Sequence, residues 1–338
     1  MTDVSILNLA PLRDGESFVQ AVDDLVDLAR FAEKLGYTRY WIAEHHNTPY
    51  LASSATSLLI QRVLDNTTHI RVGAGGVMLP NHSPFIVAEQ YGTLAALYPR
   101  RVDLGLGRAP GTDPATARAI RRHQDDFAMS FPNDIDELQF YFADETSDDS
   151  THSDKVRAYP AYGLHVPLYI LGSSTESAYL AAHLGLPYAF ASHFAPRFLV
   201  DAVEIYRREF RPSKVLDKPK VIAGVNAIVA DSDSEAKLLS TTSLQFFLNV
   251  VTGSRSGMRP PVANITEQIP PHILQMAQNM MACSLIGSPN TVKFQLDSLQ
   301  SQIHADELMA VSYIFDKEAQ RHSYQLLADV VRAYSRLK

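Results

Sequence analysis

The chain has 338 residues, 46% hydrophobic and 20% charged, which excludes a disordered chain and supplies the apolar side chains of a sizeable core. Thirty basic residues against 37 acidic ones give a net charge of −7, arguing against nucleic acid or an anionic membrane surface as the main partner. A single cysteine, Cys283, excludes an intrachain disulfide and any multi-cysteine metal or iron–sulfur site. The opening Met1-Thr2-Asp3-Val4 has neither the basic patch nor the apolar run of a signal peptide, so a reducing cytoplasm is expected.

Length alone, at ~150 residues per domain, allows two domains. The pattern of elements replaces that expectation. Val4–Pro11 reads as an apolar strand and Ser17–Leu35 as a helix, with Val22, Leu25, Ala29 and Ala32 on one face. Strand two is Arg39–His46 and its helix the Ser/Ala-rich Ser53–Leu64. Strand three is Ile70–Leu79, helix three Pro84–Leu97 and strand four Val102–Arg108. Residues 112–144 read as two helical pieces and 143–155 as an acidic, solvated loop. Strand five is Leu168–Gly172, followed by a helix from Ser174. Strand six is Tyr188–Ser192, with a helix over Phe198–Phe210, and strand seven is Val221–Val229, with a helix over Ser234–Val251. Thr252–Pro271 is rich in Gly/Pro turns. Helical stretches at 272–281 and 291–303 lead to strand eight, Leu308–Phe315, and a closing helix. Strands that are apolar on both faces and alternate with helices imply a parallel sheet covered by helices. Eight such units predict an α/β fold, a single (β/α)₈ TIM barrel with an insertion after strand seven, and functional residues at the carboxyl ends of its strands.

Those ends carry the candidates. Glu44-His45-His46 closes strand two and suits proton transfer, or, less well, a metal, because neighbouring strand residues point to opposite faces. Gly73-Ala74-Gly75-Gly76 in strand three implies either a close approach of ligand or backbone, or a bulge. Gly105-Leu106-Gly107-Arg108 begins like a dinucleotide fingerprint, but the third glycine falls at Pro110 and the match fails. Arg108 is left at a strand end, placed for a phosphate or carboxylate, or for a surface salt bridge. Ser173 and Glu176 have capping-box spacing, so a helix N-terminus and nearby hydroxyls offer an anion site one βα unit from Arg108. His82 and His193 lie near element ends and are candidates for the pocket. Cys283 reads as a core residue.

Taken together, Leu7–Pro11, Trp41–Asn47, Val72–Pro84, Asp103–Pro114 and Ile286–Pro289 resemble the bacterial luciferase-like flavin monooxygenases along nearly the whole chain. The resemblance implies a (β/α)₈ barrel over 1–338, usually dimeric, that uses reduced FMN or, in one branch, a deazaflavin. It implies His45, with Glu44, as catalytic residues, and a Gly75–Gly76 cis peptide against the flavin ring. Arg108, Ser174 and Ser177 would contact phosphate, and a mobile lid would cover 252–271. Ser173 stands where luciferase has a glutamate. The expected function is a two-component FMN-dependent monooxygenase. It would oxidise a small organic substrate with molecular oxygen, with reduced FMN supplied by an NAD(P)H-dependent flavin reductase. A deazaflavin-dependent dehydrogenase or reductase and a non-catalytic flavin-binding protein are the alternatives. A homodimer is expected, with no metal, nucleic acid or membrane partner.

Overall fold

The computed structural model describes residues 2–109, 111–121, 130–144 and 156–337. The described residues form nine parallel strands: β1 (Asp3–Asn8), β2 (Arg39–Ile42), β3 (Arg71–Met78), β4 (Val102–Gly107), β5 (Leu168–Gly172), β6 (Tyr188–Phe190), β7 (Val221–Val229), β8 (Ser284–Gly287) and β9 (Glu307–Val311). Eight of them close a barrel in the order β1-β2-β3-β4-β5-β6-β7-β9, with β9 returning to β1. The expected (β/α)₈ barrel with its insertion after the seventh strand is therefore the fold.

Alternation along the strands builds two cores. On β2, Tyr40 and Ile42 face the helices, while Trp41 and the following Ala43 face the barrel axis. The axial core adds Leu7, Leu9, Tyr169, Ile222, Met309 and Val311. The outer layer is helical: α1 (Phe18–Lys34), α2 (Thr56–Leu64), α3 (Pro84–Leu97), α4 (Pro114–Arg121), α5 (Phe131–Phe142), α6 (Thr175–Leu184), α7 (Leu199–Glu209), α8 (Asp233–Thr252), α9 (Pro271–Met280), α10 (Pro289–Ile303) and α11 (Lys317–Leu337). At the start of α1, Ser17 and Gln20 form a reciprocal capping box. Among the described residues, no helix is long and apolar enough to cross a membrane.

Several expected boundaries move. α2 starts at Thr56 rather than Ser53, because residues 51–52 are tied to the chain leaving β1: Leu51 pairs with Pro11, and Ala52 N–H donates to the Ala10 carbonyl at 2.8 Å. The helical reading of 112–144 yields α4 and α5, with 122–129 between them outside the described residues, as is 145–155 of the acidic loop. β8 was not expected. Asn226 of β7 is flanked by Val311 of β9 on one side and Ser284 of β8 on the other, so β8 takes over the edge of β7 beyond the three-residue β6.

The amino end of the barrel is plugged by charge. The guanidinium of Arg39 donates to Asp103 (Nη1 to Oδ2, 2.7 Å), Glu307 (Nε to Oε1, 2.6 Å) and the Tyr169 hydroxyl (2.7 Å). Arg71 Nε donates to Asp103 Oδ1 (2.9 Å), Trp41 Nε1 to Asp103 Oδ2 (3.1 Å), and Ser5 Oγ to Glu307 Oε1. Glu307 Oε2 faces Lys220 Nζ at 3.8 Å. Burial pulls the pKa of Arg39 down, but Asp103, Glu307 and Tyr169 outweigh it and hold the group above its ordinary value.

Candidate active site

At the opposite end, the carboxyl ends of the strands surround a cavity of about 680 Å³. That volume lies within the roughly 300–1,000 Å³ of small-molecule sites. Its wall includes His45, Gly75, Gly76, Arg108, Ser174 and Ser177, so six of the seven expected site residues meet in one place. The seventh, Glu44, is buried behind that wall.

Glu44 Oε1 accepts from both His46 Nε2 (2.8 Å) and His82 Nε2 (2.7 Å). Burial tends to raise its pKa, but these two hydrogen bonds hold the carboxyl below the ordinary range. The ligand atoms of Glu44, His46 and His82 lie within 4.8 Å of one another, a set of donors able to hold a metal ion. Any such role therefore falls to this trio, not to the adjacent pair His45 and His46. The pairing with His82, which comes from the turn after β3, is invisible in the local sequence.

His45 follows β2 and is fixed by its backbone N–H, which donates to the Ser53 carbonyl at 3.2 Å. Its Nδ1 is sealed from solvent without a hydrogen-bond partner, and burial holds the imidazole at about 4, so it is uncharged near neutrality. Gly75 and Gly76 are joined by a cis peptide. A Cβ on Gly75 would stand 2.8 Å from Leu7 Cδ1, and one on Gly76 would stand 2.7 Å from the Gly105 carbonyl oxygen. The β3–β4 register also shifts between Ala74 and Val77. Both expectations for the glycine run are met: the backbones approach closely, and the strand is irregular there.

Arg108, after β4, is exposed and has no ion pair among the described residues. Of the two readings of Arg108, the surface salt bridge is not made among the described residues. Ser173, Ser174 and Ser177 follow β5 on the next βα unit. The capping box expected between Ser173 and Glu176 is not formed. α6 begins one residue later, with Ser174 at the N-cap in an extended conformation and no side chain capping its first-turn amides. Ser177 Oγ donates to the Ser174 carbonyl (2.6 Å) and lies 2.9 Å from the Tyr188 hydroxyl. The Glu176 carboxyl is held below its ordinary value, first by the Ser174 hydroxyl and then by its own backbone N–H, with a smaller contribution from Arg108.

The rest of the wall is largely apolar: Leu7 from β1 and Leu9 just after it, Phe246 and Phe247 from α8, Met258, and Tyr313 beyond β9. Phe246 and Tyr313 stack at 4.2 Å between ring centroids. Ser254, Arg255, Ser256 and Met258 bring the 252–271 segment into the wall. That segment is anchored by Met258 N–H to the Leu12 carbonyl (2.8 Å), Asp14 N–H to the Met258 carbonyl (2.9 Å) and Gln245 Nε2 to the Pro260 carbonyl (2.8 Å). Cys283 is buried, and burial pushes its thiol up to about 11.

Residues 4–304 match the family model for luciferase-like monooxygenases. A protein of Escherichia coli K12 named luciferase-like monooxygenase is 46% identical over 326 residues, covering 96% of each chain. The N-acetyl-S-alkylcysteine monooxygenase of Bacillus subtilis is 30% identical over 347 residues, covering 99% of this chain and all of its own. Among solved structures, apo-MsnO8 superposes with a TM-score of 0.89 at 33% identity, covering 98% of this chain and 99% of its own. The oxygenating constituent of 3,6-diketocamphane monooxygenase from Pseudomonas putida, solved with FMN, shares the fold at 18% identity, with a TM-score of 0.72 and 98% of each chain covered. An eight-stranded barrel with a large cavity at the carboxyl ends, matched along nearly its whole length by these relatives, makes this chain a member of the luciferase-like, flavin-dependent monooxygenase family.

Proposed function

We propose that the chain is a two-component FMN-dependent monooxygenase that oxidises a small organic substrate with molecular oxygen, its reduced FMN delivered by a separate NAD(P)H-dependent reductase. The observation carrying this reading is the polarity of the cavity. Arg108, Ser173, Ser174, Ser177 and the uncapped N-terminus of α6 make one corner cationic and rich in donors, while aromatic and aliphatic side chains line the far side. A phosphate suits the first, because helix N-terminal amides and a guanidinium both favour an anion. A flat ring suits the glycine backbone between them, since Gly75 and Gly76 put no side chain over it.

FMN, when bound in its reduced form, supplies the reaction with oxygen. The chain's own residues do the rest: Arg108, Ser174 and Ser177 bind, Gly75–Gly76 gives the ring a surface, and the apolar wall excludes water. His45 moves a proton at its cavity-facing ring edge, and Glu44 holds His46 beside it. General acid–base work of this kind is worth ~10²–10⁴ in rate. The 252–271 segment acts as a lid over the apolar side. The working unit is a cytoplasmic homodimer, for which exposed Leu58 on α2 and Ile86 and Leu97 on α3 offer apolar surface.

Anaerobic titration with reduced FMN, followed by admission of oxygen, tests the reading. Saturable binding that weakens in Arg108→Gln, with reoxidation slower than that of free reduced FMN, is expected. Failure to bind reduced FMN, or reoxidation at the free rate, would overturn it.

A further inference from the structure

Glu44, His46 and His82 come from two consecutive units of the barrel. Glu44 and His46 follow β2, and His82 closes the short turn at 79–81 after β3. Backbone contacts fix both histidines. The His46 carbonyl accepts from Thr112 Oγ1 (3.3 Å), and His82 N–H donates to the Leu79 carbonyl (2.9 Å). The carboxylate is oriented by Met78 N–H, which donates to Oε2 at 3.4 Å and leaves Oε1 to the two imidazoles. The rings approach from different directions, 6.4 Å apart between centroids and inclined by 50°. Among the described residues no other group brings three such donors together. His322–Asp231 and His165–Asp144 are single exposed pairs.

Two imidazoles on one carboxylate oxygen leave three ligand atoms where a single ion reaches all of them. Oε1 lies 2.8 Å from His46 Nε2 and 2.7 Å from His82 Nε2, and the three atoms lie within 4.8 Å of one another. Tetrahedral bonds of ~2.0–2.1 Å set donors about 3.3 Å apart, so the side chains need draw back by only about half an ångström. Glu44 is buried, whereas His46 and His82 are half-buried, so an ion has an approach on the histidine side. Coordination through Nε2 leaves the proton of a neutral ring on Nδ1. In His45 and His193, which line the cavity, Nδ1 is sealed without a hydrogen-bond partner. Neither His46 nor His82 has its Nδ1 sealed in this way, so that proton is not stranded.

We propose that Glu44, His46 and His82 bind one divalent transition-metal ion of the zinc class, which clasps the end of β2 to the turn after β3 beside the cavity. Two imidazoles and a carboxylate are a zinc donor set, and three protein ligands leave a fourth position for water. Magnesium and calcium ask for shells of oxygen, which two imidazoles do not supply. His46 lines the cavity, and His45 lies between two of the ligands in the chain, so the clasp holds that part of the wall in place. The assignment goes beyond the flavin reading and does not depend on it, since the three donors meet whether or not FMN binds.

Metal titration of the full chain, stripped of metal and carrying no histidine tag, tests it. Co²⁺, a visible stand-in for zinc, should saturate at one ion per chain with the d–d bands of a four- or five-coordinate site. Zn²⁺ should abolish those bands and Mg²⁺ should not. X-ray absorption at the zinc edge should show two imidazole nitrogens and a carboxylate oxygen at ~2.0–2.2 Å, and no sulfur. That spectrum uses the unaltered chain, so it decides the matter even if a variant fails to fold. His82→Ala should weaken Zn²⁺ binding by more than about 100-fold, beyond the roughly 10–100-fold typical of residues that only support a ligand. It should also remove the rise in urea midpoint that Zn²⁺ gives the wild type. His322→Ala should change neither. The absence of a saturable site, a shell that lacks imidazole or contains sulfur, or affinity unchanged in His82→Ala would overturn the clasp.

Discussion

The two ends of this barrel handle buried polarity in opposite ways. At the amino end, Arg39, Arg71, Asp103, Glu307, Tyr169 and Trp41 form a connected network of hydrogen bonds and ion pairs. Toward the carboxyl end, His45 Nδ1, Ser53 Oγ, His193 Nδ1, Asn226 Oδ1 and Ser312 Oγ are buried without hydrogen-bond partners among the described residues. At the amino end Glu307 Oε2 lacks a hydrogen bond, yet it faces Lys220 at 3.8 Å inside a network of ion pairs, and such a network rigidifies, whereas neutral polar atoms buried without partners mark where a fold gives up stability for a site. The closed end is thus a stability device and the open end a binding device. Each should respond to its own perturbations.

The largest effect is expected at the closed end. Asp103→Leu leaves Arg39 buried with half its counter-charge, and breaking such a pair costs about 3–5 kcal/mol. Urea unfolding should register that loss, while flavin affinity per folded molecule should stay unchanged. A loss below about 1 kcal/mol would show that the plug is no stability device.

Acid should find the open end next. Unfolded histidines take up protons near pH 6.5, but folded His45 and His193 resist until about 4. The unfolded chain therefore binds more protons over that interval. Stability is full above pH 6.5 and falls as the pH drops toward 4, by up to about 3 kcal/mol for each ring. Urea midpoints between pH 7.5 and 4.5 check this, and His193→Phe should remove about half of the slope. A flat profile in the wild type would contradict the burial assigned to both rings.

Arg108→Gln should weaken flavin binding by about 10–100-fold, the loss of a charge-assisted contact to phosphate. Because Arg108 is exposed and has no ion pair among the described residues, thermal stability should change by less than about 0.5 kcal/mol. An equal loss of stability and affinity would blur the division between the ends. The smallest effect belongs to the proposed lid. Gln245→Ala removes the tie to Pro260 and should speed proteolysis within 252–271 severalfold at unchanged global stability. Bound flavin should slow the same cut, and identical rates with and without flavin would remove the lid from the mechanism.

What could be read from the sequence follows how local each feature is. The nine-residue apolar run of β7 declares a strand buried on both faces, and Arg108 in a glycine turn declares itself at a strand end. β8 escaped because Ser284–Gly287 is four residues long and sits between two helices. The start of α6 slipped by one residue because Ser173 and Ser174 are both cap residues by type, and only the backbone chooses between them. His193 could be named only as a pocket candidate. Its Nδ1 environment is made by Gly224 and Asn226 on another strand, and Gly224 is one glycine in an apolar run with nothing local to single it out. The Glu44–His82 pairing was unreadable for the same reason.

The lower half of β7 is paired with β6 and β9, while its upper half carries β8. Barrel closure therefore runs directly from β7 to β9, and everything between Ala230 and Asp306 is attached outside the ring of eight strands. That stretch supplies Phe246, Phe247, Arg255 and Met258 to the chamber, while His45, Arg108 and Ser174 come from the ring itself. Lengthening, trimming or exchanging the attached stretch unpicks no rung of the barrel. In descent from a common ancestor, such a chain can keep its redox machinery and alter its diet, because roof and hearth vary as separate heritable units.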